Sequence, residues 1–485
     1  MRRASSFAAL GVALGLALAG CTTNTATGRS QLATLMSPED EAQAGAAAHP
    51  KIVAAYGGVY DDARVGRYVA EVTARIGKGS DRPDIAYRVT VLNSPVVNAF
   101  ALPGGYVYVT RGLLALVDDE AELAGVLGHE IGHVIARHGA QRQTAALGAS
   151  VIGAVLGAVV GNQAVNQVVG MGGQGLLAGY SRDQEYEADA LGVRYLAKAG
   201  YDPYAQADFL ATMEDQRKLQ ARASGQKSDD AGAADWLASH PATPERVAAA
   251  RAHAADAGAR PGMGDRNRDA LMHAVNGMIY GDSPEQGIVR GRIFVHPVER
   301  IRFEAPPQFT VVNGADAVLV QGPDKTIAKF DSAAKSPSVD IGTYLAGVWA
   351  TGVRISPLDR FTVNGMAAAS ATTKIGNYNG RLVAIEAAPG RVYRFLMGTL
   401  PQAGTRHDQA LRNLVMSFRR LSAAEAAAVK PLRIRIVTVR PGDTAASLGA
   451  RMAFADFRVE RFRVLNGLGD NGGVKSGMLV KIVTE

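Results

Sequence analysis

The chain has 485 residues, length for about three domains with sizeable cores, and 47% of them are hydrophobic, an ordinary globular share. Its net charge of +7 is a mild bias with no concentrated basic run, which excludes a nucleic-acid signature and suits contact with anionic envelope surfaces. The single cysteine, Cys21, excludes an intramolecular disulfide framework.

At the N-terminus, Arg2 and Arg3 precede the apolar run Phe7–Ala19, which is too short for an ordinary spanning helix and ends in Leu18-Ala19-Gly20-Cys21. This stretch resembles a bacterial lipoprotein signal. The resemblance implies that residues 1–20 are removed and that Cys21 becomes the lipid-bearing N-terminus. With Thr22 rather than Asp behind it, it also implies a destination at the outer membrane, facing the periplasm. Residues 21–37 read as a polar tether. Further on, Tyr106, Val107, Tyr108 and Val109 alternate aromatic and branched side chains after Pro103-Gly104-Gly105. That pattern predicts an edge strand, able to hold an extended peptide by main-chain pairing.

The next element carries the chemistry. Asp118, Asp119, Glu120 and Glu122 mark a helix start, with Asp119 and Glu122 spaced as a capping box. Leu123, Val126, Leu127, Ile131 and Val134 predict that the helix is largely buried. Within it, His129-Glu130-Ile131-Gly132-His133 puts two imidazoles one turn apart on one face, where both can bind one zinc ion. Glu130 lies about 100° round the helix, placed to act as general base rather than as ligand. Gly125, Gly128 and Gly132 each cost about 1 kcal/mol in a helix interior and form a stripe beside the histidines, so a second backbone is expected to pass close there. His138, nine residues past His129, is half a turn out of phase and reads as structural. Residues 145–161 read as an apolar helix or loop near the active-site cleft.

A catalytic zinc site needs a third protein ligand and an open fourth position. Ser181 and Gln184 form a second capping box, opening a helix that runs towards Gly200. Glu185 and Asp189 share a face on it: Glu185 as the metal ligand, Asp189 as acceptor of a ligand histidine's free ring N–H. Glu187 competes, but Leu191, four residues on, offers no such acceptor. Tyr180 and Tyr186 have the chemistry to donate to an oxyanion, against the commoner role of packing.

HEIGHVIARH at His129–His138 and EYEAD at Glu185–Asp189 together resemble the peptidase family of the CAAX prenyl endopeptidases and the HtpX heat-shock protease, within it the BepA-type periplasmic branch. Asn98–Gly105 resembles the family's segment before the metal helix, and Ser239–Arg246 its later His-Pro and Arg motif. The resemblance implies a gluzincin-type zincin fold over residues 38–255, mainly α-helical with a small sheet. It implies one zinc per chain held by His129, His133 and Glu185, with Glu130 catalytic. It places His240 and Arg246 near the metal, to stabilise the transition state or to act as a gate. Polypeptides are the implied substrates, and outer-membrane assembly machinery the implied setting.

Beyond Gly281 the texture becomes β-like, at Ile293–Val295, Phe309–Val312, Ala317–Gln321, Arg381–Glu386 and Arg391–Met397, interleaved with helical stretches at Pro337–Thr351 and Asp408–Leu421. An α+β domain is expected over residues 285–425, resembling small Mog- or PsbP-like domains. Residues 432–485 resemble a LysM module, strand–helix–helix–strand, in Val437–Val439, Arg440–Thr444, Leu465-Asn466-Gly467 and Leu479–Val483. The module implies peptidoglycan as a partner, although its inter-helix linker is long and the aromatic expected at the start of its first strand is missing. The expectation is thus a multidomain chain, a lipid-anchored zinc endopeptidase acting on misfolded or stalled envelope proteins. The alternative is a chaperone, assembly adaptor or peptidoglycan-associated lipoprotein whose peptidase is gated or silent.

Overall fold

The computed structural model describes residues 21–24, 27–28, 30–32, 36–142, 179–224, 236, 240–241, 243–470 and 472–485. The expected signal peptide, the apolar stretch 145–161 and most of the loop at 224–234 lie outside them. Two compact units emerge. One holds Gly58–Met278 and Arg433–Thr484 with the described residues up to Val53; the other holds Ile279–Leu432 with Ala54–Gly57.

The first unit opens with a two-stranded ribbon, β1 (Cys21–Thr23) and β2 (Ser30–Leu32), then α1 (Pro38–Ala55) and α2 (Ala63–Gly79). Asp62 caps α2 by accepting from the backbone N–H groups of Arg64 and Val65, and Val65, Val69, Val72 and Ile76 form its buried stripe. A three-stranded sheet follows, β3 (Arg88–Leu92), β4 (Ala99–Leu102) and β5 (Tyr106–Thr110). Its order corrects the expected edge strand. β5 is central, parallel to β3 on one side and antiparallel to β4 on the other, so both rims of Tyr106–Val109 are already hydrogen-bonded. Val107 and Val109 lie in the core, while the Tyr108 hydroxyl meets His49 Nδ1 at 2.7 Å and the Tyr106 hydroxyl accepts from Arg88. The strand's aromatic alternation reflects burial on both faces rather than exposure of one.

Beyond β5 run α3 (Arg111–Leu116), the nearly wholly buried α4 (Glu120–Ile135), α5 (Arg182–Lys198), α6 (Ala205–Ser224), α7 (Pro244–Asp256) and α8 (Arg268–Val275). Asp119 caps α4 by accepting from Glu122 N, but the Glu122 carboxylate reaches back to Asp118 N, one residue before the cap, instead of closing a full capping box. Ser181 and Gln184 do close one at α5. α4 and α5 cross where both lack side chains. A Cβ on Gly128 would stand 3.3 Å from Gly192 Cα, one on Gly132 3.2 Å from Ala188 O, and one on Gly192 3.1 Å from His129 N.

The second unit is β-rich. β6 (Ile288–Arg290), β7 (Ile293–His296) and β8 (Ile301–Glu304) belong to a small antiparallel sheet. β9 (Thr310–Asn313), β10 (Val318–Gln321), β11 (Ile327–Ala334), β12 (Asp359–Val363), β13 (Met366–Ile375), β14 (Tyr378–Ala388) and β15 (Arg391–Thr399) form a seven-stranded antiparallel sheet in the order β9-β10-β11-β15-β14-β13-β12. Helix α9 (Asp408–Met416), strand β16 (Arg419–Arg420), which completes the small sheet, and α10 (Ala423–Ala428) follow. One face of the large sheet packs an aromatic core of Phe294, Phe303, Phe330, Phe395 and Phe418, and the other packs Ile341, Tyr344 and Leu345 against Leu382, Ala384 and Val392. The expected helix at 337–351 shrinks to one turn at Ile341–Thr343 and a π-helical turn at Tyr344–Trp349.

The chain ends with β17 (Leu432–Thr438), α11 (Ala445–Gly449), α12 (Arg458–Leu465) and β18 (Leu479–Thr484), β17 pairing antiparallel with β18. No helix among the described residues is long and apolar enough to cross a membrane.

Candidate metal centre

On α4, His129 and His133 are fully buried, with their Nε2 atoms 3.0 Å apart. α5 lays Glu185 across both, one carboxylate oxygen 3.5 Å from His133 Nε2 and the other 3.6 Å from His129 Nε2. One turn later, Asp189 Oδ1 lies 2.9 Å from His129 Nδ1. An ionised carboxylate only accepts, so His129 donates from Nδ1 and, when neutral, presents a lone pair at Nε2. His133 Nδ1 in turn meets His138 Nδ1 at 2.8 Å. Tyr180 stacks on the His133 ring with centroids 3.7 Å apart, a packing contact.

Two further residues come from distant sequence. His240 Nδ1 lies 2.9 Å from Glu185 Oε1 and 3.3 Å from His129 Nε2, and its Nε2 is 3.7 Å from Glu130 Oε1. Its backbone N–H donates to Trp236 O, and the Trp236 ring stacks on its imidazole. Arg246, capped into α7 by Thr243, grips Asp189 with two bonds of 2.8 Å, reaches Glu185 Oε2 at 2.8 Å and donates to Pro241 O. These bonds let the Arg246 guanidinium orient both carboxylates.

The donor set fits a metal ion. Nitrogen and oxygen donors about 2.0–2.1 Å from a common tetrahedral ion stand about 3.3 Å from one another. His129, His133, Glu185 and His240 offer ligand atoms that all lie within 4.8 Å of one another, with the spacings above bracketing that edge. In the ligating tautomers, two Nε2 lone pairs facing each other at 3.0 Å would repel without a cation between them.

The electrostatics agree. Burial and the neighbouring His129 and His138 hold the His133 pKa well below the usual histidine value despite Glu185, which keeps it in the neutral, ligating form. Burial alone would lower His129 too, but the Asp189 bond and the surrounding carboxylates outweigh it and raise its pKa. Burial works against ionised Glu185, yet His240 and His133 pull its pKa well below the carboxylate range. Glu130 goes the other way: burial lifts its pKa, and His240 and His129 only partly oppose this. The pKa values of two carboxyl groups 55 residues apart in sequence are thereby pushed in opposite directions.

Of the site residues named from sequence, His129, Glu130, His133, Glu185, Asp189, His240 and Arg246 converge, while Tyr106, Val107, Tyr108 and Val109 lie in the sheet centre and Cys21 in the N-terminal ribbon. The strand beside the centre is β4. It packs against α4, no described strand pairs with its outer rim, and Ala101 and Leu102 share a small cavity of about 10 Å³ with His133, Val134 and Tyr180. His138, expected as a structural or capping histidine, lies beside the centre because α4 stops at Ile135 and Arg137 turns left-handed (φ 57°), which folds His138 back onto His133. Trp236 sits in no recognisable pattern.

Residues 62–254 match the model of Peptidase family M48. The mitochondrial metalloendopeptidase OMA1 of Arabidopsis thaliana is 38% identical over 162 residues, 33% of this chain and 30% of its own. The beta-barrel assembly-enhancing protease of Escherichia coli (strain K12) is 29% identical over 202 residues, 39% of each chain. The match thus spans well under two thirds of either relative. Among solved structures, a PsbP of Synechocystis sp. PCC 6803 aligns with 29% of this chain and 98% of its own at 11% identity, with a TM-score of 0.22 that carries no argument about fold.

Proposed function

We propose, from the match of residues 62–254 to the model of Peptidase family M48, that this chain is a zinc endopeptidase of gluzincin type, with one zinc held by His129, His133 and Glu185 and with Glu130 as general base. The observation that carries this reading is the convergence of two neutral-capable imidazoles and an ionised carboxylate, one imidazole fixed by Asp189. A zinc ion there supplies Lewis acidity toward a scissile carbonyl and acidifies water. Glu130, its pKa raised by burial, takes the proton of the attacking water and hands it to the leaving amine. The outer rim of β4, which pairs with no strand among the described residues, holds an extended substrate by main-chain pairing, the role first expected of β5. Arg246 and Asp189 keep Glu185 and His129 in register.

A second reading of the same site rests on His240. Its Nδ1 stands as close to Glu185 and His129 as a fourth ligand does, in the position catalysis needs open. We infer a latent state in which His240 closes the centre and must swing away for turnover. His240→Ala is then expected to raise cleavage several-fold with metal retained, read as kcat on a peptide substrate; a fall in kcat instead would give His240 a catalytic role.

The physiological setting belongs to the proposal too. Lipid at Cys21, an outer-membrane location and action on misfolded envelope polypeptides rest on the sequence resemblance, and the E. coli relative's name, a beta-barrel assembly-enhancing protease, speaks for a protease tied to β-barrel assembly. The βααβ order of the last segment agrees with a LysM-like module. Metal analysis with casein cleavage for the wild type, Glu130→Gln and Glu185→Ala tests the core claim. One zinc per chain, cleavage lost in the Gln variant with zinc kept, and zinc weakened in the Ala variant are expected. Full complementation of a deletion strain by Glu130→Gln would move the main role to the adaptor alternative.

A further inference from the structure

The last strand carries a lysine that reaches no solvent. Lys481 in β18 is fully buried, and its ammonium donates to Ala115 O at 2.9 Å and Val117 O at 2.7 Å and lies 3.3 Å from Asp118 Oδ1. These acceptors are the carbonyl end of α3, where a cation is favoured, and the residue just before the cap of α4. The terminal segment is shaped to hold the lysine there. Asn466 accepts from Lys481 N at 2.7 Å and donates to Lys481 O at 2.9 Å. Gly467, at φ +59°, lies so close to Asp118 that an added Cβ would stand 2.0 Å from Oδ2. Arg268 donates to Asp118 O at 2.7 Å and also comes within 3.5 Å of the same Oδ1, and Glu122 in the first turn of α4 accepts from Asp118 N at 2.8 Å.

A buried ammonium persists only where acceptors replace its water, and acceptors gathered this way are equally costly to leave without a cation. We propose that residues 115–118 form a cation site at the base of the metal helix and that Lys481 is its built-in occupant. Lys481 is then a positioning residue, and it makes residues 433–484 a working part of the metal-binding unit rather than a separable glycan-binding tether. The other charged groups facing the ammonium, Arg268 and Glu122, bear on it with opposite signs; burial lowers the Lys481 pKa while Asp118 opposes. The site stands on geometry that is independent of whether the metal centre cleaves peptides.

The test uses the full chain with Lys481→Ala, where n-propylammonium restores the atoms removed. The thermal transition of the unit containing residue 481 is expected to fall by at least about 5 °C, and metal retention against a chelator is expected to weaken. Both should recover in n-propylammonium but not in tetramethylammonium, which lacks N–H donors, at equal ionic strength. Exposed Lys475→Ala is the neutral control. A Tm within about 1 °C of wild type, or equal effects of the two amines, would overturn the cation site. Amine-dependent Tm with unchanged metal retention would overturn the positioning role alone. Should Lys481→Ala not fold, Lys481→Met reads the same site: a folded protein with wild-type Tm and metal retention sinks the proposal, and loss of both supports it.

Discussion

At the residue scale, the centre works because one environment assigns different states to chemically similar groups. Asp189 is the extreme case. Burial favours its neutral form, but Arg246 and His129 outweigh this and draw its pKa down to about 2. A carboxyl depressed in the folded state stabilises it above the unfolded value near 3.9, and that contribution is lost as pH falls through about 2. It amounts to about 2–3 kcal/mol for a shift of this size. Asp189→Asn should therefore flatten the fall in Tm between about pH 4 and pH 2. It should also weaken metal binding about 10–100-fold, as loss of a group orienting a ligand histidine does; acid titration followed by circular dichroism and a chelator competition check both. His138→Ala is expected to weaken the metal as well, through the freed ring of His133. An unchanged affinity would make His138 simple packing.

At the element scale, the proposed ligand set depends on two helices touching backbone to backbone. The glycine stripe made that contact legible, since a residue that costs helix stability three times along one face implies a close neighbour, supplied by Gly192 at Gly128, by Ala188 at Gly132 and by Gln206 of α6 at Gly125. Gly128→Val is expected to force α4 and α5 apart, costing about 1–3 kcal/mol and lowering metal affinity although no ligand changes; urea unfolding and metal titration measure it. The β-rich unit was less legible. The strands β7, β9, β10 and β15 sit within a residue or two of their expected bounds because branched and aromatic residues mark them. β13, Met-Ala-Ala-Ala-Ser-Ala at its start, carries the composition of a helix, yet its small side chains lie in a sheet packed on both faces. There packing, which favours small residues between two layers, overrode intrinsic preference.

At the scale of the whole molecule, the two units carry separate cores. Phe395 anchors the aromatic core of the second unit, edge-on to Phe303 and Phe418 and tilted against Phe330. Phe395→Ala should cost about 3–5 kcal/mol there, while metal affinity stays at the wild-type value. Calorimetry that shows the metal-sensitive transition moving with this variant would contradict separate cores. What the sequence by itself determined is local: His129, Glu130 and His133 on one helix, and Glu185 with Asp189 on another, follow from the fixed 3.6-residue period. What only the tertiary structure decided is partnership across distance. His240 and Arg246 arriving at the carboxylates, β5 taking the sheet centre while β4 keeps the rim, and Lys481 entering the base of α4 all depend on which surfaces fill one another's space. Backbone periodicity fixes the faces of each element, but the neighbour of each face is chosen by long-range packing and charge compensation, which no short window of sequence contains.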